Sequence, residues 1–139
     1  MKQHQAVLNI MPRGRGMLDV TRQVAQVLAE SAINCGMLHL FVRHTSCSLL
    51  IQENADTDVQ TDMERFLSRL VPDGDPIYTH IAEGPDDMPA HVRAALTATS
   101  LSIPVADGNM TLGVWQGIYL YEHRQHASRR QVVVHISGM

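Results

Sequence analysis

At 139 residues the chain is sized for a single domain, residues 1–139, with enough length to bury a core. Its hydrophobic share of 45% is ordinary for a globular protein, and no apolar run reaches the roughly 18 residues that a membrane helix needs. The net charge of −3 speaks against nucleic acid as the main partner, because proteins that track phosphates carry a basic face.

Met1-Lys2-Gln3-His4-Gln5 leads directly into an alternating segment and not into an apolar signal core, so the expected setting is the cytoplasm. Cys35 and Cys47 form neither a C-x-x-C pair nor a disulfide framework, and both are expected to be small buried residues. Lys2 is the only lysine, against ten arginines. The planar guanidinium fork suits carboxylate and phosphate, although base composition in a genome produces the same skew.

Taken in order, residues 4–11 read as a strand, closed by Pro12 and the turn-prone Arg13-Gly14-Arg15-Gly16. A helix follows, with Asp19 as N-cap, Val20, Val24, Val27 and Leu28 on one face and Gly36 as its stop. Residues 37–43 alternate as a strand. His44-Thr45-Ser46 interrupts it before apolar residues resume at 47–51, the pattern of a bend or bulge that aims side chains at a site. After Asp56 a second helix carries Val59, Met63, Phe66, Leu67 and Leu70 as its apolar stripe.

Gly84-Pro85 turns the chain, and Asp87 with Pro89 suits the opening of a third helix that runs to about Thr97 and buries Met88, Val92, Ala95 and Leu96. Strands are expected over 101–105, where Pro104 suggests an edge, over 110–122, interrupted by Gly113 and Gly117, and over 131–137. The fold class is therefore α+β, with about three helices packed on mostly antiparallel, sandwich-like sheets.

Titratable groups concentrate in His80-Ile-Ala-Glu-Gly-Pro-Asp-Asp-Met-Pro-Ala-His91. Imidazoles are common ligands of transition metals, and His44 is the candidate third donor beside His80 and His91. The expected cofactor is a divalent metal, Zn or Mg. Asp87, four residues before His91, can orient that imidazole or handle a proton, and it equally suits helix capping. Glu53 can serve as a base, and helix-start chemistry explains it too.

Thr45, Ser46, Trp115, Gln116, Glu122, Arg124, Arg129 and Arg130 are the candidate substrate-binding groups. Trp115 fits either a core anchor or an aromatic wall, and the arginines together suit an anion clamp.

His44-Thr45-Ser46 with Glu53-Asn54, Tyr78-x-His80, the Glu83–His91 block, Ser100-x-x-x-Pro104, Gly113-x-Trp-Gln-Gly117 and Glu122-x-Arg124 with Arg129-Arg130 resemble the YjbQ-type family, also called the secondary thiamine-phosphate synthase family. The likeness spans essentially the whole chain. Cys47 departs from it, since a small residue such as Ala is usual there.

The resemblance implies an α+β homotrimer and a weak thiamine-phosphate synthase activity that joins a pyrimidine pyrophosphate to a thiazole phosphate. Dedicated synthases of that product use a (β/α)8 barrel, for which this chain is too short, so the implied activity is a side reaction of the site. The leading expectation is a metal-assisted enzyme on a small phosphorylated substrate. The alternative is a non-catalytic trimer that binds a small anion or a partner.

Overall fold

The computed structural model describes residues 1–139. Alternating sequence builds eight strands: β1 Lys2–Ile10, β2 Gly16–Asp19, β3 Gly36–Val42, β4 Cys47–Glu53, β5 Ser100–Ala106, β6 Asn109–Met110, β7 Gln116–Glu122 and β8 Arg130–Gly138. The helices are α1 Thr21–Ser31, α2 Thr57–Leu70 and α3 Asp87–Leu96. All pairings are antiparallel. A five-stranded sheet runs β1-β8-β3-β5-β6 and a three-stranded sheet runs β2-β7-β4. No helix is long and apolar enough to cross a membrane.

Residues two apart on a strand share a face, so Leu38, Leu40 and Val42 of β3 point the same way as Val132, Val134 and Ile136 of β8. They meet Leu49, Ile118 and Leu120 of the smaller sheet and Val24, Val27 and Leu28 of α1 in one buried cluster. The α+β architecture of two antiparallel layers with three helices is as the patterning requires.

Several local expectations change. The break at 43–46 is not a bulge within one strand: β3 lies in the larger sheet and β4 in the smaller, so this loop carries the chain between layers. The expected run 110–122 divides for the same reason, with β6 in one sheet and β7 in the other. Gly16, expected in a turn, and Asp19, expected as an N-cap, are instead the two ends of β2, which pairs with β7.

Asp19 ends that strand, and Val20 holds the N-cap position. The Asp19 carboxylate still accepts from the backbone and hydroxyl of Thr21 at the helix start. α1 stops at Ala32, in the left-handed conformation (φ 57°), and not at Gly36. Gly36 has another task. A Cβ there would lie 2.0 Å from the Ser137 carbonyl oxygen, so only glycine lets β3 and β8 approach at this point.

The third helix is rotated from its expected phase. It buries Asp87, Pro89, Ala90 and Arg93, and leaves Leu96 exposed. α2 likewise buries only Leu67 of its stripe, with Phe66 at 53% and Leu70 at 56% exposure. Apolar periodicity places a helix but does not say which face meets the protein when buried positions carry charge.

Candidate functional site

α3 begins with Asp86 at its N-cap position and Asp87 in its first turn, and Asp87 and His91 share a face at i, i+4. The Gly84 turn (φ 103°) brings His80 back over the same spot. Nε2 of His80 stands 2.7 Å from Asp87 Oδ2, and Nε2 of His91 stands 3.2 Å from the same oxygen. The three donor atoms lie within 4.8 Å of one another. Asp87 is buried, His91 partly so, and His80 opens to solvent.

His91 and Asp87 are each oriented from behind. His91 Nδ1 donates to the Thr45 carbonyl at 3.0 Å, since that oxygen can only accept, and Nε2 is left as the free lone pair of the neutral ring. Asp87 Oδ1 accepts from Arg124 Nη1 at 2.7 Å. Arg124 is itself held by Asp86 Oδ2 at 3.0 Å and by the Glu83 carbonyl at 2.9 Å. Burial opposes ionisation of Asp87, yet the hydrogen bond from His80 and the charge of Arg124 hold its carboxyl below the ordinary range. Two imidazole nitrogens and one carboxylate oxygen gathered this closely form a donor set that fits a transition metal of the zinc type, which would take the place of the proton His80 now gives to Asp87.

His80 and His91 are thus brought together as expected. The third donor comes from Asp87, whose two oxygens are both engaged. His44 stands apart. The Gln131 backbone N–H donates to its Nε2 at 2.9 Å, so the ring proton sits on Nδ1 and neither nitrogen offers a lone pair to a metal or a proton. Burial, followed by the charge of Arg130, lowers the His44 pKa and keeps this ring neutral.

The expected anion clamp is dispersed. Arg130 donates through Nε to Glu122 Oε1 at 2.7 Å and through Nη2 to Ser46 Oγ at 2.9 Å, inside the protein. Glu122, fully buried, also receives the backbone N–H groups of His123 and Arg124. Arg130, Glu122 and Ser46 therefore brace one another, and Arg124 braces the two aspartates. Thr45 and Arg129 remain exposed.

Glu53 accepts from the Asp56 backbone N–H at the start of α2, and the Gln116 side chain accepts from Gly113. Trp115 is 62% exposed. Register puts Cys47 opposite Glu122 and Glu53 opposite Gln116, six residues along β4. Glu53, Trp115 and Gln116 therefore lie roughly 20 Å from the strand end that carries Glu122.

Sequence reading did not single out Asp86, Glu64 or Arg93. Arg93 is fully buried, its guanidinium paired with the Glu64 carboxylate and its Nε donating to His123. The available signal was an arginine three residues after Ala90 and six after Asp87, on a face otherwise inward.

These features define a class: a two-sheet antiparallel α+β protein with a His-Asp-His centre at the mouth of its third helix. The chain belongs to the YjbQ-like UPF0047 family, whose model matches residues 6–139. A UPF0047 protein of Synechocystis is 48% identical over 137 residues, covering 99% of this chain and 93% of that one. The UPF0047 protein YjbQ of Escherichia coli O157:H7 is 43% identical, covering 97% and 98%. Among solved structures, a YjbQ/UPF0047 protein of Clostridium acetobutylicum described as uncharacterized superposes with TM-score 0.87 at 32% identity, covering 95% of this chain and 99% of that one.

Proposed function

We propose that this protein is a metal-assisted enzyme acting on a small phosphorylated substrate, with His80, Asp87 and His91 as the metal ligands. The convergence of two oriented donor atoms supports it: His91 has its Nδ1–H committed to Thr45, and Asp87 has Oδ1 committed to Arg124, so that Nε2 and Oδ2 face the same point. Two nitrogen donors favour zinc over magnesium, which prefers an all-oxygen shell. A bound divalent ion would supply Lewis-acid stabilisation of charge on a phosphate oxygen.

Thiamine-phosphate formation from a pyrimidine pyrophosphate and a thiazole phosphate is the reaction that the sequence resemblance suggests, as a weak side activity of a transferase. Thr45 and Arg129 are exposed polar groups on loops that flank this end of the molecule, and we assign them to substrate. The expected homotrimer supplies the rest: Glu53, Trp115 and Gln116, too distant within one chain, would serve a neighbouring protomer's centre. Exposed Phe66, Leu70, Ile77, Ile81, Leu96 and Val114 give such an assembly apolar surface to bury. A reducing compartment, the cytoplasm, suits the two free cysteines.

The test is metal content and turnover measured together. Wild-type protein dialysed against zinc should retain one ion per chain and form thiamine phosphate from the two substrates. His80→Ala and His91→Ala should lose both. Undiminished zinc in either variant would refute the metal assignment. Zinc retained without any turnover would favour the second reading, a non-catalytic anion-binding trimer.

A further inference from the structure

A groove of about 590 Å3 opens beside the metal trio, between the end of β3 and the outer face of α3. That size is within the range of small-ligand sites. His91 belongs to both: it lines the groove and supplies one of the trio's donor atoms. The floor and one wall are apolar, formed by Val42, Ala94, Ala95 and the ring of Phe41.

Three neighbouring residues of the lining, Arg43, His44 and Thr45, offer hydrogen-bond donors. His44 lines the groove, and with Nε2 occupied by the Gln131 backbone N–H its Nδ1 must carry the proton; that N–H makes no hydrogen bond within the chain. Arg43 beside it gives one nitrogen to Gln131 Oε1 at 3.3 Å and keeps its other N–H groups free. The hydroxyl of Thr45 adds a further donor, and no carboxylate lines the groove. Cys47 lies at the back with its thiol pushed up to about 12 by burial, so it presents a neutral S–H and no competing negative charge.

We infer that this groove is the substrate-body site: it holds a small organic oxyanion, a phosphate monoester or a carboxylate, with its apolar body on Val42 and Ala94 and its oxygen on the His44 Nδ1–H. The inference rests on the proposed function in one respect only, that the groove's occupant is the metal centre's substrate. His44 thereby acts as a fixed neutral donor, matched to an acceptor that an imidazolium or a lone pair could not select in the same way. An apolar body confers the gain over a bare anion, because the groove offers few charges of its own.

Phenyl phosphate is the probe, titrated calorimetrically into the zinc-loaded and the chelator-treated full chain, with benzoate, inorganic phosphate and benzyl alcohol as comparisons. Phenyl phosphate should bind more tightly than inorganic phosphate or benzyl alcohol. The benzoate arm decides whether the oxyanion is general or must be phosphate.

Ala95→Phe fills the groove from an exposed helix position, and His44→Ala removes the donor; each should weaken phenyl phosphate about tenfold, the effect of one lost charge-assisted hydrogen bond or a blocked wall. Because Ala95 is at the surface, its variant keeps the fold if His44→Ala does not. Zinc stoichiometry should be unchanged in Ala95→Phe, which separates the two ideas. Phenyl phosphate binding that survives Ala95→Phe with zinc in place overturns the groove. Absent zinc with groove binding intact overturns the metal centre and leaves the groove standing.

Discussion

Arg93 Nε donates to His123 Nδ1 at 3.1 Å, and that single bond decides the polarity of the buried network around it. A guanidinium cannot give up its proton, so Nδ1 must be the acceptor and Nε2 must carry the hydrogen. His123 Nε2–H therefore donates to Ser48 Oγ at 2.8 Å. The pair has the spacing of a nucleophile and its base, with the proton on the wrong partner for that chemistry.

Ser48 should accordingly resist a fluorophosphonate probe, with no adduct by intact mass. Ser48→Ala should cost about 1–3 kcal/mol in urea unfolding, because it strands a buried N–H. A labelled Ser48 would reverse this assignment of the tautomer.

The same network sets an acid limit. Burial, reinforced by the Arg93 charge, lowers the His123 pKa from 6.5 to about 3, so the unfolded chain binds a proton that the folded one refuses. Burial would raise Glu64, but the hydrogen bonds from Arg93, Ser68 and Tyr121 together with the Arg93 charge outweigh it and carry that carboxyl from 4.5 down to about 2. Both pKa values fall on folding. Their stabilisation is complete above the unfolded values and is lost as pH drops through 6.5 toward 3 for His123, and through 4.5 toward 2 for Glu64. The urea midpoint should decline steadily below pH 6.5, and His123→Gln should make the portion above pH 4.5 shallower, with His44 supplying the remaining slope, while leaving the lower portion. A wild-type midpoint that stays level across that upper interval would contradict the neutral buried imidazole.

Arg124 bears on the proposed metal site through Asp87. With its guanidinium on Asp87 Oδ1 and Asp86 Oδ2, it presents the Oδ2 lone pair of Asp87 toward the two imidazoles. Arg124→Ala should weaken zinc binding roughly 10–100-fold in competition with a chromophoric chelator, the usual effect of removing a group that orients a ligand. Stoichiometry at saturating zinc should stay the same. Loss of the ion even at saturation would mean that Arg124 holds the fold and not the ligand.

The two thiols should behave oppositely. Cys35 is exposed, whereas Cys47 is buried and its pKa rises to about 12. A thiol reagent should modify Cys35 alone in native buffer and both in denaturant. Rapid native labelling of Cys47 would show that the groove opens more deeply than its walls indicate.

Element order, the antiparallel character and the pair His80–His91 could be read from the chain because each depends on local pattern: alternation, helix caps and a dense run of ligand-type residues. Two kinds of information could not. β2 spans four residues next to Arg13-Gly14-Arg15, so turn chemistry masked a strand that exists only because β7 is there to pair with it.

The partners of Arg93, Arg124 and Arg130 are 29, 38 and 8 residues away in Glu64, Asp86 and Glu122, and three arginines that look alike in sequence all prove to be internal braces. His44 illustrates the same limit. Its ligand-type chemistry is plain, but the Gln131 N–H that takes its lone pair belongs to a strand 87 residues on.

β8 lies between β1 and β3, pairing with Lys2–Ile10 on one side and Gly36–Val42 on the other, yet it follows every other strand in synthesis. Until residues 130–138 emerge, β1 has no neighbour and β3 exposes an unpaired edge, so the nascent chain holds two open, apolar strand templates at once. Closure of the larger sheet is thus the late insertion of a central strand between its flankers. That makes folding slow for the chain's size and leaves the interval before closure as the period in which chaperone capture competes with aggregation.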